Sequence, residues 1–137
     1  MREIEYKAWL KDEEKMVDVV SIDFRIEEIA YVEQCTLGNI QQTWYEFRDF
    51  NDIELLEYTG IKDKNGVKIF EGDIVKDDRE RIFVIEYKFG GFNIVPINCY
   101  NDEFSWNPLG DMQTAGWLTE SAEVIDNIYE NKELLNE

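Results

Sequence analysis

Apolar side chains in this chain recur at every second position over short runs, the period of a half-buried strand, and Gly, Asn and Asp separate the runs. In residues 4–10, Tyr6, Ala8 and Leu10 fall on one side and Lys7 and Trp9 on the other. The polar turn Lys11-Asp12-Glu13-Glu14 then leads into a second extended stretch, 16–20, continued by Ile22-Asp23-Phe24. Residues 25–37 fit two templates. Ile26, Ile29, Ala30 and Leu37 make a weak helical stripe, whereas Ile29, Tyr31 and Glu33 suit a strand. The strand reading is adopted. Residues 39–50 carry Trp44, Tyr45, Phe47 and Phe50, an aromatic cluster expected to plug one end of the core; exposed, it would be a contact surface.

Residues 53–59 read as another strand. Asn65-Gly66 follows, a pair that tolerates positive φ and so predicts a hairpin between 55–61 and 67–75. Residues 81–89 alternate clearly, with Phe83, Ile85, Tyr87 and Phe89 on one face and Ile82, Val84, Glu86 and Lys88 on the other. Gly90-Gly91 predicts a second hairpin turn, returning through 92–95. Pro96 lacks an N–H and marks that strand's end or a sheet edge.

Residues 98–116 read as a loop, rich in Asn, Asp, Gly and Ser. Its large apolar groups must fold back or meet a partner. Tyr100, Phe104 and Trp106, with Trp117, are the candidate interaction surface. A last strand is expected at 122–129 and a helical turn at 131–135, with Asn131 as N-cap. The expected fold is mainly β: a small SH3-like barrel of antiparallel strands, with additional N-terminal strands and a short C-terminal helical turn. Residues 1–137 read as one domain, divisible into an N-terminal β-rich part, 1–57, and a barrel-like part, 58–137.

Charge changes the picture more than composition does. Among 137 residues, Asp and Glu number 31 against 14 Lys and Arg, a formal net charge of -17. Such a chain is repelled by duplex phosphates, so direct nucleic-acid binding is not expected. A partner with a basic surface suits it better. His is absent, which removes the commonest general base and metal ligand. Cys35 and Cys99 are far apart and cannot make a four-ligand zinc site alone. Acidic residues at the N-terminus argue against a secretory leader. No apolar run reaches the ~20 residues of a membrane helix. Reduced thiols, a cytoplasmic location and no membrane contact are the expectations.

The motif Tyr58-Thr59-Gly60-Ile61-Lys62-Asp63-Lys64-Asn65-Gly66, followed by Ile69-Phe70-Glu71-Gly72-Asp73-Ile74-Val75, resembles the signature of the YopX family of phage and prophage proteins. The opening Tyr6-Lys7-Ala8-Trp9 and the closing 123–135 are similar to that family's two ends. Asp126 stands where the family usually has glycine, and Lys132 where it often has proline. The resemblance implies a phage or prophage origin, a mainly β fold with a barrel-like portion, and self-association into a homo-oligomer. A basic partner would then be a host or phage protein. The resemblance implies no activity.

Besides the architectural reading, the motif and the acids that follow it admit two chemical readings, and the acidic charge of the whole chain admits a third. Aligning Gly66 with the invariant glycine of a calcium loop puts Ile61 and Gly72 at ligand positions, which neither can fill. Glu71, Asp73, Asp77 and Asp78 would have to converge to hold Mg²⁺ in a metal-assisted hydrolase. Carboxylates in regular double rows would make the chain a nucleic-acid mimic occupying a host DNA-binding protein. The architectural reading is preferred: Asp63 and Asp73 tie down backbone amides, and Gly72 allows a sharp bend. On it, Tyr58, Gly60, Asp63, Asn65, Gly66, Glu71, Gly72 and Asp73 are structural. No catalytic residue, metal or cofactor is assigned, and a non-enzymatic interaction protein is expected.

Overall fold

The computed structural model describes residues 2–97, 107–110 and 112–131. Over these the chain is mainly β, with eleven strands, one α-helix and one 3-10 turn. It divides into two compact units: residues 5–56, and residues 57–137 joined by the first four residues.

The N-terminal unit holds β1 (Tyr6–Leu10), β2 (Lys15–Asp23), β3 (Glu28–Leu37), β4 (Ile40–Asp49), a 3-10 turn (Phe50–Asp52) and the start of β5 (Ile53–Lys62). Its strand order is β4-β3-β2-β1-β5, and consecutive strands from β1 to β4 pair antiparallel. The ambiguous stretch 25–37 is a turn followed by β3. Asp23 Oδ1 accepts the Arg25 amide at 2.9 Å and Glu27 takes φ 56°, which turns the chain into β3. From there β3 and β4 run as an unbroken ladder of paired residues, from Glu28–Asp49 to Leu37–Ile40. Ala8, Leu10, Ile29, Tyr31 and Ile53 form the core, with Val17, Val19 and Ile22 against it.

The C-terminal unit takes the second half of β5, then β6 (Lys68–Phe70), β7 (Asp73–Lys76), β8 (Ile82–Lys88), β9 (Gly91–Pro96), β10 (Asn107–Pro108), α1 (Met112–Ser121) and β11 (Glu123–Asn127). β5 and β6 form the Asn-Gly hairpin. The second expected arm, 67–75, is split at Glu71-Gly72, and β7 leaves to join a sheet of order β10-β9-β8-β7-β11. β8 lies between β7 and β9, and its Phe83, Val84 and Ile85 are buried in succession instead of alternating, so both of its faces are covered. The β8–β9 turn is one residue earlier than Gly90-Gly91: Phe89 and Gly90 both take positive φ (57° and 79°) between the paired Lys88 and Gly91. Phe89 therefore leaves the strand face assigned to it and is 87% exposed.

Two expectations are corrected. Each strand order is open, and among the described residues neither sheet closes into an SH3-like barrel. A helix covers the apolar side instead: Leu118 and Ala122 join Ile69, Val75, Phe83, Ile85, Ile94 and Leu109 in one core. That helix, α1, starts inside the stretch read as a loop. Thr114 and Gly116 are poor helix formers, so local preference hides it and packing carries it. The helical turn expected at 131–135 lies, but for Asn131, outside the described residues.

Candidate functional site

Asp63 closes the β5–β6 turn. Its Oδ1 accepts the amides of Asn65 (2.8 Å) and Val67 (2.9 Å), and its Oδ2 accepts the Val124 amide from β11 (2.9 Å). The main chain adds Asp63 N–H to Val67 O and Gly66 N–H to Asp63 O, with Gly66 at φ 79°. Only 3% of Asp63 is exposed. A buried carboxylate needs such donors, because charge taken out of water without hydrogen bonds is strongly unfavourable.

Asp77 repeats the arrangement in the turn between β7 and β8. Its Oδ1 accepts the amides of Arg79 and Arg81 at 3.0 and 2.8 Å, and its Oδ2 lies 2.6 Å from Arg81 Nε. Asp77 N–H donates to Arg81 O and Glu80 N–H to Asp77 O. Glu80, at φ 61°, occupies the place of Gly66.

The other motif residues shape the same hairpin and bend. Tyr58 is buried, its ring 5.5 Å from that of Phe70, with Lys68 Nζ 5.4 Å above it. Gly60 (φ 88°) sits where the β5–β6 register breaks, and Thr59 Oγ1 donates to Ile69 O across that break. Gly72 (φ 86°) makes the bend into β7: its N–H donates to Ile85 O and its carbonyl accepts from Ile128. Asp73 Oδ2 accepts the Phe70 amide at 2.8 Å, and Glu71 N–H donates to Glu57 O. Asp126, in the family's glycine position, follows a bulge in β11, and its Oδ2 accepts from Asn131 Nδ2.

Among the described residues no group of three His, Cys, Asp or Glu side chains could hold a metal ion. An open groove of about 350 Å³ in the C-terminal unit is lined by Glu57, Thr59, Tyr87, Gly91, Phe92 and Leu109, among others; Asp63, Glu71 and Asp73 are not part of its wall. Of the four aromatic residues singled out as an interaction surface, Trp117 packs edge-on against Phe83, ring centres 5.1 Å apart, as part of the core wall. Tyr100, Phe104 and Trp106 lie outside the described residues.

The exposed aromatic surface is elsewhere. Trp44, Tyr45 and Phe47 on β4, expected to plug the core, are 40%, 64% and 53% exposed. Pairing places Tyr45 beside Val32 and Phe47 beside Ala30 on one face of the N-terminal sheet. Val32 and nearby Val20 are exposed as well. The opposite face of β4 is anchored. Arg48 reaches Glu13 (3.1 Å) and Asp12 (3.2 Å) and lies over the Tyr31 ring, while Tyr31 OH donates to Glu13. Burial pushes the Tyr31 phenol up from its usual pKa, the Glu13 and Glu33 charges add to this, and nearby Arg48 and Lys15 oppose it. The Lys15 ammonium is raised by its hydrogen bond to Glu33, against a smaller opposing effect of burial. Sequence spacing missed this surface because Trp44, Tyr45 and Phe47 occupy both faces of one strand, and spacing alone does not say which face is covered.

No helix among the described residues is long and apolar enough to cross a membrane. No curated protein matches the chain. The crystal structure of protein EF1440 from Enterococcus faecalis shares its fold, with a TM-score of 0.68 and 24% identity over 98% of this chain and 99% of that one. The family model described as YopX protein matches residues 5–136. The chain therefore belongs to the YopX family.

Proposed function

We propose that this protein is a non-enzymatic, self-associating protein-interaction module, encoded by a phage or prophage and working in the bacterial cytoplasm. The observation that carries the reading is the exposed aromatic surface of β4, with Tyr45 and Phe47 in solvent on a strand whose other face is held by the Arg48 ion pairs. Exposed apolar groups gathered on one rigid element are typical of a surface that meets another protein. The acidic turns support the same reading, since Asp63 of the family motif and Asp77 just beyond it spend their carboxylate oxygens on backbone amides and on Arg81. The net charge of -17 suits a basic surface on any heterologous partner.

Multi-angle light scattering over a range of protein concentrations, with a pull-down from bacterial lysate, tests the reading. A mass above the 16.3 kDa of one chain is the expected result. A single-chain mass at every concentration, with nothing retained at low salt, would overturn it.

A further inference from the structure

β4 differs from the other strands that end a sheet or hairpin. β6 has three residues, β10 has two and includes Pro108, and β11 has five interrupted by a bulge. Shortness, proline and bulges are the usual protections of a strand edge. β4 has none of them: it runs ten residues, Ile40–Asp49, without proline or register break.

Its backbone geometry says which groups face outward. Leu37 and Ile40 flank a two-residue turn led by Gly38 at φ 62°, so they form a hydrogen-bonded pair. With the register unbroken, even-numbered residues of β4 turn their N–H and C=O toward β3. Gln41, Thr43, Tyr45, Phe47 and Asp49 then present theirs to the open edge.

Charge selects what can pair there. Residues 40–49 contain two acids and one base, Glu46, Asp49 and Arg48, in a chain of net charge -17, so two copies can approach here without massing carboxylates. All three charges lie in the C-terminal half, and Ile40-Gln41-Gln42-Thr43 is neutral. Antiparallel self-pairing sets one half against the other. With Tyr45 on the two-fold axis, Thr43 faces Phe47 and Gln41 faces Asp49 as hydrogen-bonded pairs. Trp44 then faces Glu46 and Gln42 faces Arg48. No acid opposes an acid, which would be unfavourable. Tyr45 and Phe47 from both copies join into one apolar stripe on one face.

We propose that two copies of this chain associate through β4, edge to edge and antiparallel about a two-fold axis at Tyr45, making one continuous sheet. This rests on the self-association reading above and names the surface and register that perform it.

The test uses the full chain and variants at three positions of β4. Thr43→Pro removes an outward N–H while leaving the β3 ladder intact. Each dimer loses two hydrogen bonds, at about 1 kcal/mol each, and the dissociation constant measured by sedimentation should rise about 30-fold. Circular dichroism should show the fold unchanged. Tyr45→Cys, in a background of Cys35→Ser and Cys99→Ser, should be joined to its counterpart by a short thiol cross-linker, the two Cα atoms being about 5.5 Å apart. Gln41→Cys in the same background should not, because its copies lie eight residues apart, about 27 Å along the strand. A chain that associates but ignores Thr43→Pro and gives no cross-linked Tyr45→Cys product overturns the β4 pairing and leaves self-association standing. Association lost with Thr43→Pro, but with cross-linking of the Gln41→Cys variant and not of Tyr45→Cys, overturns the register. A chain monomeric throughout overturns both readings.

Discussion

The carboxylate of Asp63 accepts the amide of Val124, 61 residues further along the chain, at 2.9 Å. One oxygen of a turn residue thus fixes the start of the last strand, while the other holds the turn itself. Asp63→Ala leaves three amides without their acceptor and should lower stability by about 3 kcal/mol or more, measured by urea unfolding. Asp63→Asn keeps two acceptor contacts but turns an NH₂ toward Val124, so it should recover only part of the loss. If Asp63→Ala unfolds at the same urea concentration as the parent, the architectural role of the motif is wrong.

The two aspartate turns reach positive φ at the same place with different residues, Gly66 in the first and Glu80 in the second. Nothing would meet a Cβ at Gly66, so Gly66→Ala carries only the backbone cost of about 1 kcal/mol. At Gly72 a Cβ would come within 2.9 Å of Tyr129 Cε2 in addition to its φ of 86°. Gly72→Ala should therefore cost clearly more, about 3 kcal/mol, with the clash added to the backbone strain. Equal melting temperatures for the two variants would show that the Tyr129 contact is not a constraint.

Tyr31 is buried and its phenol is raised above the usual value of 10.0. The folded state thus holds this proton more firmly than the unfolded one. The stabilising contribution is complete below about pH 10 and is lost as pH rises through the folded pKa. Lys15, raised from 10.5, acts in the same direction. Stability should fall on the alkaline side above about pH 10, and phenolate absorbance should contain one late-titrating tyrosine that Tyr31→Phe removes. If Tyr31→Phe leaves the phenolate titration curve unchanged in its late part, the burial argument fails.

Trp117 and Tyr45 separate stability from association. Trp117→Ala opens a cavity beside Phe83 and should cost about 3 kcal/mol, with the self-association constant unchanged in folded protein. Tyr45→Ser removes an exposed ring and should change stability by less than about 0.5 kcal/mol while weakening association. The opposite pattern, measured by thermal melts and sedimentation, would return the interaction surface to the helix.

Local signals made most strands legible. Alternation gave 4–10 and 81–88, and Asn65-Gly66 gave the β5–β6 hairpin, because both act over a few residues. What failed to show depends on distant partners. Val84 is buried like Phe83 and Ile85 on either side of it, so groups from elsewhere in the chain cover the second face of β8, which no pattern within 81–89 records. α1 holds its place through Leu118, with Ala122 just after its end, despite Thr114 and Gly116. Phe89 is in a turn because Gly90 forms its second half, although phenylalanine disfavours positive φ. The open sheets could not be read either, since whether a first and last strand meet is not written in either one.

β11 is the last described strand to leave the ribosome, yet it lies beside β7 in the middle of the sequence and supplies the amide that Asp63 needs. The signature from Tyr58 to Val75 emerges long before that amide does. Nascent chains of this protein must wait, with the Asp63 carboxylate still hydrated, until Val124 has been synthesised and freed; a premature stop before Val124 would release a chain whose most recognisable stretch lacks one of its partners.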